Sequence, residues 1–135
     1  MISLSYLQIH PLLKKVTFTA AEDSMDKKIT GNDSFEAVRD YLAEINPEAL
    51  LADGLENALI AVCDRFGQPT LAAYDYDKCI EIFANDIADD DTLEEDDDPH
   101  TMAVEHFDYN VIGGWLGDHT PVFIRIYAPE GDNNG

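Results

Sequence analysis

The chain has 135 residues, 45% of them apolar, and sets 28 Asp and Glu against 8 Lys and Arg, a formal charge of −20. That size and apolar content fit one domain with a real hydrophobic core, not a disordered acidic tail. The charge argues against direct binding to DNA, RNA or anionic membranes, because phosphate contacts need clustered Lys and Arg.

The charge is also uneven. Residues 1–30 hold four lysines against three acids, whereas residues 31–135 carry −21. The amino-terminal "MISLSYLQIHPLLKK" lacks a basic start and is broken by His10 and Pro11, so no signal peptide is expected, nor any membrane span. The expected location is the cytoplasm, and the expected organisation is a single domain over 1–135.

In chain order, "ISLSYLQI" and "KKVTFTA" alternate with period two and predict strands near 2–9 and 15–20. Residues 22–33 read as a loop. Asp33, with Glu36 three residues on, predicts a capped helix with the stripe Phe35, Val38, Leu42 and Ile45. Asn46 and Pro47 predict a second helix stopped at Gly54. The stripe Leu55, Leu59, Val62 and Phe66 predicts a third, closed by Gly67. "QPTLAAY" is a connector or short strand. Asp75 caps a fourth helix with the stripe Tyr76, Ile80, Phe83 and Ile87. An acidic loop over about 86–98 follows, and Asp98-Pro99 opens a fifth helix bearing Val104, Phe107 and Val111. "TPVFIRIYA" predicts a strand near 121–127, central in the sheet because it has few polar positions. The tail from about 129 to 135 is frayed. The expected class is α+β: one small, mostly antiparallel sheet covered by about five short α-helices.

Most chemistries find no adequate motif. An EF-hand needs a central glycine, and none lies between Asp86 and Asp98. Zinc has no CxxC and no His pair four apart on a helix, so Cys63 and Cys79 read as small buried hydrophobes. There is no G-x-S-x-G elbow, and His119 in "GDHTP" reads as a turn residue rather than a base. Pairs such as Asp75 and Asp77 arise by chance in so acidic a chain. "GGWLG" is not a phosphate loop. Its Trp115 reads as folded onto the core behind a C-cap glycine, with an exposed partner anchor as the alternative. No enzyme, metal or cofactor is expected.

The acidity itself is the remaining candidate. Residues 86–98 hold nine carboxylates in thirteen positions. Carboxylates one helical turn apart lie roughly 5–6 Å from each other, and alternate residues of an extended segment about 6.5 Å. DNA presents a charge per about 3.4 Å of axis on each strand, and successive phosphates follow a longer path. Such rows can stand in for a phosphate track and fill the Lys and Arg sites of a DNA-binding groove. Glu36, Asp40 and Glu44 form one row, and Asp75, Asp77 and Glu81 another leading into the acidic run. A merely solubilising face is the competing reading.

"LAAYDYDKCIEIF", a spacer, and "AVEHFDYNVIGGWLGDHTPVFI" resemble small, largely uncharacterised proteins of tailed bacteriophages and prophages. The resemblance covers about residues 55–126 and is most specific from Phe107 to Pro121. It supplies no catalytic residue. It implies a mobile-element context, and in size and charge the chain is similar to anti-restriction and anti-CRISPR inhibitors, some of which mimic DNA. The expected partner is therefore a basic nucleic-acid-binding protein of host defence, a CRISPR effector or restriction nuclease, met in the bacterial cytoplasm. The expected contact residues are Asp89, Asp90, Asp91, Glu94, Glu95, Asp96, Asp97 and Asp98, with Glu36, Asp40 and Glu44 in support. The alternative is a phage interaction module docking through Trp115, Phe107 and Tyr109.

Overall fold

A computed structural model of the chain describes residues 16–26, 33–89, 93–112, 114 and 116–127. The strand expected near 2–9, the tail from 129, and Asp90, Asp91 and Trp115 lie outside the described residues. The order is β1 (Phe18–Ala20), α1 (Asp33–Ile45), β2 (Leu50–Ala52), β3 (Leu59–Cys63), β4 (Leu71–Asp75), α2 (Tyr76–Ala88), α3 (Pro99–Phe107) and β5 (Val122–Ile124). Short 3₁₀ turns cover Ala21–Ser24 and Glu56–Ala58, and a π-helical turn, Asp108–Ile112, extends α3.

The fold is α+β, but the expectation of five helices over one sheet is wrong. The described residues form three α-helices and two small sheets, β1–β2 and β3–β4–β5. The helix expected after Asn46 is a turn followed by β2. Only seven residues separate Asn46 from Gly54, too few for an independently stable helix. Instead Leu50, Leu51 and Ala52 fill the edge of β1 in antiparallel register, Leu51 opposite Thr19. The third expected helix is also a strand. "LIAVC" is a short apolar run that periodicity cannot assign, and its β-branched Ile60 and Val62 suit a strand paired to β4. Phe66, placed on that helix's apolar stripe, stands fully exposed. Gly67 closes no helix. It sits at φ +76° in the Arg65–Gln68 turn of the β3–β4 hairpin, where Gln68 N donates to Arg65 O (2.9 Å).

The carboxy-terminal strand is an edge strand. β4 is central, antiparallel to β3 and parallel to β5, with Tyr74 opposite Phe123. Its Ala72, Ala73 and Tyr74 are fully buried, whereas Val122 and Phe123 are half-buried and Ile124 is exposed. The parallel pair requires a crossover, which α2 and α3 supply.

Both helix starts of this crossover follow the expected caps. The Asp75 carboxylate accepts from Lys78 N (3.2 Å), and that of Asp98 from His100 N (3.2 Å) and Thr101 Oγ1 (2.6 Å). Pro99 takes the first helical position. Phe107 lies at the centre of the packing, with ring centroids 5.1 Å from Phe123, 5.4 Å from Phe83 and 5.7 Å from Tyr76. Tyr74 joins the two sheets, its hydroxyl accepting from Ala52 N at 2.7 Å.

Candidate acidic interface

α1 exists because Phe35 and Leu42 recur on one face and are buried, with Val38 packed beside them. Ile45, the last residue of the expected stripe, is exposed. Asp40 and Glu44 face solvent and Glu36 is half-exposed. Arg39 lies on the inner side of this row, 2% exposed. Its Nη1 donates to Ser24 O (2.9 Å), its Nε to Asp40 Oδ1 (3.0 Å), and its guanidinium stands 5.3 Å from the Phe35 ring centre. The middle carboxylate of the row is thus already paired within the helix.

On α2 the buried face is Tyr76, Cys79, Ile80 and Ile87. Asp77, Glu81, Asp86 and Asp89 are exposed, and none has an ion pair with a described residue. Asp75 belongs to the cap and not to the row. The two rows stay apart: α1 packs on β3, β4 and the Ala21–Ser24 turn, while α2 packs chiefly on α3.

The acidic run is not all loop. Asp86, Ile87 and Ala88 end α2. Leu93 packs against the core and anchors the turn beyond it. Glu94 N donates to Asp97 Oδ2 and Asp97 N to Glu94 O, both at 3.0 Å, which folds Glu94–Asp97 into that turn. Asp97 and Asp98 are therefore engaged in local structure. Hydrogen bonds from Thr101 first, then from the first turn of α3, lower the Asp98 carboxyl below its usual range. Glu94, Glu95 and Asp96 project into solvent. Of the expected contact residues, Asp89, Glu94, Glu95 and Asp96 are thus presented outward along one connection.

Two clefts were not anticipated. Between α2 and α3 runs a groove of about 540 Å³, walled by Asp77 and Glu81, floored by Ile80 and Val104, and bounded by Asp108 and Arg125. The Tyr76 hydroxyl donates to Asp108 Oδ1 (2.6 Å), and the Arg125 guanidinium lies 4.0 Å over the Tyr76 ring. Burial, then the bond to Asp108, pushes the Tyr76 phenol up to about 12. Spacing on α2 and α3 carried part of this signal, since Asp77/Glu81 and Val104/Asp108 are each one turn apart. The approach of Arg125 depends on β5 and was not readable.

The second cleft, about 460 Å³, lies beside the β3–β4 hairpin and is lined mainly by Leu71, Val111, Ile112, Pro121, Val122 and Phe123. Phe107 and Tyr109, offered as docking residues, separate here: Phe107 is fully buried and Tyr109 is 45% exposed.

The groups considered for catalysis have structural surroundings. Cys79 is fully buried, its thiol pushed up to about 12 by burial and then by Asp75. Cys63 is half-buried on the apolar cleft. His119 meets the Asn46 amide at Nδ1 (3.2 Å) and Glu48 Oε2 at 4.0 Å, while its carbonyl accepts from Leu50 N. Among the described residues no three His, Cys, Asp or Glu side chains are grouped to hold a metal ion, and no helix is long and apolar enough to cross a membrane. Comparison with protein-family models, curated proteins and solved structures yields no match.

Proposed function

We propose that the chain is a non-catalytic inhibitor that occupies the basic nucleic-acid-binding groove of a bacterial host-defence complex, a CRISPR effector or restriction nuclease, through carboxylates standing in for phosphates. The observation that carries this reading is the exposure of Glu44, Asp77, Glu81, Asp89, Glu94, Glu95 and Asp96 without a described cationic partner. Those on α1 and α2 sit on helices whose opposite faces form the core, so their positions are held by packing. A rigid row of charge loses less conformational entropy on binding than a floppy one. The phage resemblance over 55–126 favours a defence complex as the partner.

Binding of this kind is driven by release of counterions from both surfaces. The test is capture of partners from a bacterial lysate at about 50 and at about 200 mM salt, with and without competing duplex DNA. The expected result is a nuclease or CRISPR complex whose affinity drops by about tenfold or more over that salt range and which DNA displaces. Changing Asp89, Glu94, Glu95 and Asp96 together to Lys is expected to abolish capture while the circular dichroism spectrum is retained. Capture that survives the charge reversal refutes a role for this connection.

A second reading has its own observation. The apolar cleft is flanked in sequence by exposed Phe66 and Leu116, and Ile112 on its wall is itself 45% exposed, an arrangement suited to a hydrophobic partner contact. It predicts a partner that ignores salt and is lost on Ile112→Asp.

A further inference from the structure

We propose that the groove between α2 and α3 is the seat for an arginine side chain of the basic partner. This rests on the acidic-interface reading above and assigns to that surface one specific anchor. Arginine combines an apolar stem with a planar cationic head, and the groove offers a counterpart to each. Ile80 and Val104 provide an apolar floor, and Asp77 and Glu81, one turn apart on α2, provide a carboxylate wall.

The chain's own Arg125 shows the kind of head group that suits this surface. The groove already holds one guanidinium, that of Arg125, face-on over Tyr76 at 4.0 Å, with Asp108 bonded to the hydroxyl of that same ring. An aromatic face backed by a carboxylate is a guanidinium seat, since the ring quadrupole and the anion both attract the cation. Arg125 answers only part of the negative charge, because Asp77 and Glu81 pair with no described Lys or Arg. The remaining two carboxylates suit an incoming arginine, which can bond them in bidentate fashion where lysine presents a point charge. On the α1 row, by contrast, Asp40 is already taken by Arg39.

The experiment titrates a fluorescent nona-arginine peptide with the full chain at low salt, reading anisotropy. Asp77→Asn with Glu81→Gln is compared with Glu22→Gln with Asp23→Asn, which removes the same charge from two exposed positions far from the groove in sequence. The groove pair is expected to weaken binding about tenfold and the control pair less than about threefold. Ala84→Arg, which fills the groove from its own wall, is expected to weaken binding similarly while leaving the carboxylates in place. Equal losses in both charge-removing pairs overturn the proposal, as does nona-lysine binding as tightly as nona-arginine. If the unmodified chain binds neither peptide, the acidic-interface reading itself fails, a result distinct from failure of the groove alone.

Discussion

α1 and α2 are both thirteen-residue helices with an apolar inner face and carboxylates outside, yet they handle that charge differently. α1 carries its own counter-charge, Arg39, buried beneath the row and bonded to Asp40. α2 has no buried cation, and the nearest guanidinium comes from beyond β5 to rest on Tyr76. The field that a partner meets is therefore partly answered within α1 and left largely open along α2 and the 94–96 turn. α1 has four carboxylates and α2 three, so the count of acids does not decide which helix is the more open interface.

The comparison breaks most severely if the α2–α3 packing is removed. Phe107→Ala deletes the ring around which Tyr76, Phe83 and Phe123 meet, and is expected to destabilise the fold by about 3–5 kcal/mol in urea unfolding. A loss below about 1 kcal/mol would mean that the aromatic cluster does not hold the groove together. Arg39→Ala is expected to cost about 2 kcal/mol, because the Ser24 carbonyl loses a buried charged donor. If it instead proved neutral, the internal counter-charge would not be what distinguishes α1.

A third test concerns alkaline pH. Cys79 and Tyr76 have ordinary values of 9.0 and 10.0 and are each raised to about 12 by burial. A group whose folded pKa is raised contributes its full stability below the unfolded value and loses it as pH climbs through the folded one. Stability is therefore expected to decline from about pH 9 toward pH 12, and Cys79→Ala should delay the onset to about pH 10. An unchanged onset in Cys79→Ala, read from unfolding midpoints across that range, would assign the decline to other groups.

Legibility varied with how local each cause was. The Asp75 and Asp98 caps, the helix they open in each case, and the stripe Tyr76, Ile80 and Ile87 depend on neighbours within two turns and were readable. So was the outward display of Glu94, Glu95 and Asp96. Residues 46–66 were not, because "INPEALLADG" and "LENALIAVC" are apolar in a manner compatible with helix, and only pairing with β1 and β4 makes them strands. The clefts were legible only in part: the one-turn spacings Asp77/Glu81 and Val104/Asp108 are in the sequence, but Arg125, Val122 and Phe123 reach the clefts only after β5 has docked on β4.

By itself, the sequence determined the charge, its concentration after residue 30, and the helices whose caps and stripes are local, since these follow from residue type and short spacing. Only the tertiary structure decided which carboxylates remain open. Burial of Arg39 beside Asp40 and the approach of Arg125 to Tyr76 depend on how the chain packs, and electrostatic worth depends on those neighbours rather than on the count of acids.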